Sequence, residues 1–155
     1  MKFASVNEFA FKTQPYQHQL DALSKSHNKD YYAFFMEMGT GKSKVCIDDI
    51  CIAYQQKEIN CGIVVAPKGV YRNWSQLEIP KHVNDEIDHD IIVWSNSTSM
   101  KNKKQLRKLF EKNDKLKFFV VNIEAFRTRK GLEFTKKVLQ ENDCLMAIDE
   151  STVIK

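Results

Sequence analysis

The chain has 155 residues, 43% hydrophobic and 28% charged, which is enough for a single domain with one core. Its formal net charge of +4 is too small to require a polyanionic partner by itself. No apolar run reaches the ~18 residues a membrane span needs, and the opening MKFASVNEFAFK lacks the long apolar centre of a secretory signal. A cytoplasmic protein with no membrane partner is therefore expected.

In chain order, Pro15 to Ser24 reads as a helix with Leu20 and Leu23 on one face. Tyr31 to Met36 (YYAFFM) is a continuous apolar run, as expected of a strand covered on both faces. Lys42 to Gln55 places Val45, Ile47, Ile50, Cys51 and Tyr54 at helical spacing. Cys61 to Ala66 (CGIVVA) is a second strand, closed by Pro67. Val70 to Glu78 reads as a helix that stops at Pro80, because proline lacks the N–H to continue it. His82 to Asp90 is the most loop-like stretch, and Ile91 to Trp94 is a third strand.

Met100 to Lys112 predicts a helix with Leu106, Leu109 and Phe110 inward. Phe118 to Asn122 (FFVVN) is a fourth strand, Gly131 to Gln140 a helix, and Cys144 to Ile148 (CLMAI) a fifth strand. Strands alternating with helices predict an α/β protein with a mostly parallel sheet covered on both sides. Cys46, Cys51, Cys61 and Cys144 form no Cys-x-x-Cys pair, and no histidine is spaced with them as a zinc ligand. Free thiols are the expectation. His82 and His89 flank an acidic stretch without metal-ligand spacing, and His18 is expected in surface or helix packing.

The segment Gly39-Thr40-Gly41-Lys42-Ser43 lies between an apolar strand and a helix. Glycines there let backbone N–H groups curl around phosphate oxygens, and the helix N-terminus adds partial positive charge. Lys42 would reach the β- and γ-phosphates, and Ser43 would offer its hydroxyl to Mg2+. The full pattern G-x-x-x-x-G-K-[ST] is not met, since its first glycine falls at Met36. A second acidic element follows the last strand. Asp149 is placed to hold Mg2+, directly or through water, and Glu150 to orient or deprotonate an attacking water.

These segments, with PYQHQLDAL, IVVAPKGVYRNW, FFVVNIEAF and AIDESTVIK, resemble in order the motifs of Swi/Snf-like superfamily-two helicases and translocases. FMEMGTGKS is similar to motif I of that group, and AIDESTVIK to motif II. The resemblance spans nearly the whole chain. It implies a RecA-like P-loop NTPase three-layer sandwich over residues 1–155, the first of two such domains that hold ATP between them. It also implies ATP hydrolysis coupled to nucleic acid, above all double-stranded DNA. The adenine-reading amide maps to Gln19, with Gln17 as the alternative.

Two departures stand out. Thr152 occupies a place where the family usually has histidine, and the chain stops at Lys155, just after motif II. The domain is then expected to be C-terminally incomplete. Lacking the second domain and its arginine finger, the isolated chain is expected to bind ATP weakly and to hydrolyse it negligibly. In the RecA-like topology the strand after motif II lies between the strands of motifs I and II. Its absence predicts unpaired sheet edges open to self-association.

Nucleic-acid contacts are expected from Lys68, Arg72, Arg127 and Arg129, on loops that follow strands. The lysines and arginine between Lys101 and Lys117 are read instead as a solvated helix face. Trp74 and Trp94 are expected in the core. The competing readings are a non-catalytic binding or inhibitory module derived from such a motor, and a viral DNA-packaging ATPase. The glutamine segment and the Ala-Pro-Lys and Asn-Trp strings speak against the latter.

Overall fold

Four short runs rich in β-branched and aromatic residues form one sheet. The computed structural model of the chain describes residues 9–26 and 42–149. Within them, β1 (Cys61–Ala66), β2 (His89–Val93), β3 (Leu116–Asn122) and β4 (Cys144–Ile148) are all parallel, in the order β2-β3-β1-β4. The register pairs Val64 with Val120 and with Ala147. β1 and β3 are buried at every position. That explains why both are continuously apolar rather than alternating.

Side chains alternate across the sheet and feed two cores. Val64, Ala66, Phe118 and Val120 point to one face, packed with Leu23 of α1 (Gln17–Ser26) and Val45, Ile47 and Ile50 of α2 (Lys42–Gln55). Cys61, Ile63, Val65, Phe119 and Val121 point to the other. There they meet Leu106 of α5 (Met100–Arg107) and Val138 of α6 (Arg129–Glu141). The described residues therefore build helix, sheet and helix layers. The strand expected over Tyr31–Met36 lies outside them.

The helix after β1 differs from expectation. It does not stop before Pro80 but runs as α3 (Tyr71–Asn73), a π-type stretch (Trp74–Glu78) and α4 (Ile79–His82). A π turn widens the ring of each hydrogen bond; here the Ile79 N–H reaches the Trp74 carbonyl. The wider turn gives the Pro80 ring room where an α-turn would set it against a carbonyl. The helix expected over Met100–Lys112 also ends early, passing at Lys108–Phe110 into a 3-10 turn.

Lys117 is a second correction. It belongs to β3, not to a solvated face, and is 1% exposed, with its ammonium donating to the Glu111 carbonyl. Its aliphatic stem fills the core while the charged tip finds an acceptor. His82 closes α4 and His89 opens β2, so the two flank the acidic loop between them, as the sequence leads one to expect.

β4 has the sequence of a fully covered strand yet has no outer neighbour among the described strands. Met146 and Ile148 are 40% and 59% exposed. At its start β4 is clasped to β1: Asn60 Nδ2 donates to Asn142 Oδ1 (2.8 Å), and the Asp143 N–H donates to Asn60 Oδ1 (2.8 Å). No described helix is long and apolar enough to cross a membrane.

Candidate nucleotide site

Parallel strands deliver all their C-terminal ends to one rim, and the residues that follow them share it. Asp149 follows β4, its N–H donating to the Val65 carbonyl at 2.7 Å. That bond continues the β1–β4 ladder one residue past the strand and fixes the backbone that carries the carboxylate. The side chain is fixed as well: Trp74 Nε1–H donates to Asp149 Oδ2 at 2.9 Å. Trp74 is 3% exposed, so its core role holds, and its bond to Asp149 was not foreseen. The available signal was that a buried indole N–H needs an acceptor.

Lys42 and Ser43 occupy the first turn of α2, both half-buried. One turn further, the Cys46 thiol is pushed up to about 12, first by burial, then by the carboxylates of Asp49 and Asp149, with Lys42 opposing. Lys42 and Asp149 therefore both act on the same sulfur, although α2 and the end of β4 are distant in sequence. Gly39, Thr40, Gly41 and Glu150 lie outside the described residues.

Gln19 is buried, and its Oε1 accepts the Tyr16 N–H at 2.8 Å. This is one half of a capping box, satisfying a backbone donor at the start of α1. Gln17 is exposed, and its Nε2 donates to Asp21 Oδ1 at 2.9 Å. His18 is exposed and stacks on Tyr16, with ring centroids 5.8 Å apart.

α2 also carries a buried ion pair that the sequence reading passed over. Lys44 Nζ lies 2.8 Å from Asp48 Oδ2 and 5.1 Å from the centre of the Phe11 ring, with the Lys44 and Asp48 side chains 5% and 2% exposed. Burial pushes the Asp48 carboxyl up to about 6, against the hydrogen bond and charge of Lys44. Asp48 Oδ1 is buried without a hydrogen-bond partner. Nearby, burial and then the charges of Lys44 and Lys81 push His82 down to about 4. Its Nδ1 shares a 2.7 Å hydrogen bond with Thr13 Oγ1. The signal for the pair was the four-residue helical spacing of Lys44 and Asp48.

Lys68 and Arg72 follow β1, and Arg127 and Arg129 follow β3, so adjacent parallel strands place all four toward the rim of Asp149. All are exposed. The Lys68 N–H donates to Glu124 Oε2 at 3.1 Å, joining the two loops. Arg72 lies 5.8 Å from the Tyr71 ring centre. Arg129 pairs with Glu133 at 3.0 Å, an exposed contact that leaves its charge available.

Among the described residues no group of three His, Cys, Asp or Glu side chains could hold a metal ion. The donors that remain for a cation are hard oxygens, the Ser43 hydroxyl and Asp149 Oδ1; the other Asp149 oxygen is engaged by Trp74. Hydroxyl and carboxylate suit Mg2+, which keeps several waters and takes one or two protein ligands beside substrate phosphates. Compared with known proteins, the chain matches no family model and no curated protein.

Proposed function

We propose that the chain is the first RecA-like domain of a nucleic-acid-dependent ATPase, a Swi/Snf-type DNA translocase or helicase. The observation that supports this reading is Asp149 at the C-terminal rim of a parallel sheet, its carboxylate held by Trp74, together with Lys42 and Ser43 in the first turn of α2. A lysine in the first turn of a helix and a carboxylate at a strand end are the two charged groups that a triphosphate cleft requires. The all-parallel sheet covered by helices on both faces is compatible with the RecA-like sandwich.

In this mechanism Lys42 binds the β- and γ-phosphates of ATP, with Gly39, Thr40 and Gly41 supplying backbone N–H groups. Ser43 and Asp149 would hold Mg2+, which would supply positive charge to neutralise the phosphate oxygens. Trp74 keeps one Asp149 oxygen occupied and so orients the other. Glu150 positions or deprotonates the attacking water. Gln19 or Gln17 reads the adenine edge. Lys68, Arg72, Arg127 and Arg129 contact the phosphates of double-stranded DNA, which fixes orientation without base specificity. A second RecA-like domain supplies the arginine that completes catalysis.

The test is Mg2+-dependent ATP binding to the full chain by titration calorimetry. The expected result is weak binding that Lys42→Ala abolishes. Asp149→Asn should remove the Mg2+-dependent part and leave Mg2+-free binding unchanged. Equal binding by parent and Lys42→Ala would overturn the site. Turnover above ~1 s−1 by this chain alone, a rate typical of complete enzymes, would overturn the need for a second domain. Absent ATP binding together with tight capture of a full-length motor would favour the inhibitory module.

A further inference from the structure

We propose that Cys61 and Cys144 form an oxidisable thiol pair, which a hydroperoxide converts to a disulfide tying β4 to β1. Cys61 stands directly opposite Cys144 in the parallel β1–β4 register. Neighbouring strands lie about 4.7–4.9 Å apart, inside the roughly 4.4–6.8 Å Cα separation that a disulfide spans. Register partners in parallel strands project from the same face. Both cysteines accordingly belong to the core cluster beneath α5 and α6. Both are free thiols.

The two sulfurs differ in access and in charge. Cys61 is fully buried, whereas Cys144 is half-buried. A hydrogen bond from the Cys61 thiol lowers the Cys144 thiol below its ordinary value, outweighing burial and the carboxylate of Asp143. The other three thiols move the opposite way. Cys46 and Cys51 are raised chiefly by burial, and Cys61 by its bond to Cys144 and by burial. Thiolate character and exposure decide which cysteine reacts first, and Cys144 leads on both.

In the first step the Cys144 thiolate attacks one peroxide oxygen. The O–O bond breaks, the departing hydroxide takes a proton to become water, and Cys144 is left as the sulfenic acid. In the second step the Cys61 sulfur attacks the Cys144 sulfur. The S–O bond breaks, and the hydroxide leaves as a second water with the Cys61 proton. Two thiols lose two hydrogens and one hydrogen peroxide becomes two waters. The pair sits at the N-terminal ends of its strands, the opposite end of the sheet from Asp149, so the proposal is independent of the nucleotide reading.

The test treats the full chain with hydrogen peroxide, blocks remaining thiols and maps peptides without reduction. The expected product is one cross-linked pair joining Cys61 to Cys144, with the intact mass lowered by two hydrogens and restored by dithiothreitol. In parallel, dimedone should trap Cys144 in Cys61→Ser, where the resolving thiol is gone. In the unaltered chain Cys144 should react at least ~10-fold faster than Cys46 or Cys51 with a thiol-directed alkylating agent. The proposal is overturned if Cys46 or Cys51 oxidises first, or if Cys144 proceeds to the sulfinic acid with no cross-link to Cys61.

Discussion

The Trp74 ring fills the core with its carbon skeleton and holds a carboxylate with its N–H. Trp74→Phe keeps most of the ring and removes only the donor. Asp149 is half-exposed, so water replaces part of the loss. The expected cost is about 1 kcal/mol in urea unfolding, the net worth of a typical hydrogen bond; an unchanged midpoint would show the bond to be dispensable. His82 offers a test with pH. Its folded value, about 4, lies below the ordinary 6.5, so the unfolded chain takes up the proton first. The stability contributed by neutral His82 is complete above about 6.5 and is lost as pH falls through that window toward 4. Asp48 runs the other way, since its folded value of about 6 lies above the ordinary 3.8, so its burial becomes less costly on acidification. The two trends oppose each other across the same range. In His82→Gln the opposing trend is gone. The variant should therefore gain stability relative to the parent, by on the order of 2 kcal/mol, as pH drops from 6.5 to 4 in paired urea titrations.

The junction between β3 and α6 depends on a close backbone approach. The 3-10 turn Ile123–Arg127 brings the Ala125 carbonyl against Gly131, where an added Cβ would collide with it. Thr128 Oγ1 donates to that carbonyl at 2.7 Å and accepts the Gly131 N–H at 3.1 Å, capping α6. Gly131→Ala should lower stability by about 1–3 kcal/mol, the usual cost of overpacking, read as a fall in thermal midpoint. Elements of this kind differ in how far sequence reveals them. Cys61–Ala66 and Cys144–Ile148 were legible to the residue, because uninterrupted apolar runs closed by a proline or by acids leave little freedom at the ends. The helix after β1 was not: Pro80 reads as a stop, and nothing local announces a π turn that makes room for it. Lys117 misled for a similar reason, since a lysine in a basic run does not show that its tip reaches a carbonyl. The Trp74–Asp149 bond joins residues 75 apart, and periodicity carries no information at that range.

Among the described strands the sheet ends at β2 on one side and at β4 on the other. β4 leaves Met146 and Ile148 largely exposed on one face of the sheet and has no outer neighbour among the described strands. A strand edge of this kind templates pairing with another chain. Gel filtration over a range of concentrations should show larger species for the parent and a single small one for the Met146→Lys, Ile148→Lys double variant. Equal elution of the two at all concentrations would remove β4 as the contact. Layering and sheet direction were legible from the alternation of apolar runs and amphipathic stretches. The π stretch at Trp74–Glu78 has a consequence reaching back to the start of the chain. One residue of helix is about 100° of rotation, so that widened turn sets the phase of everything after it. It aims His82 at Thr13, and the helix end it leads into supplies the Pro80 carbonyl and Asp85 that Lys12 grips, each at 2.8 Å. A chain one residue shorter there would keep a helix and lose its hold on the polypeptide's beginning.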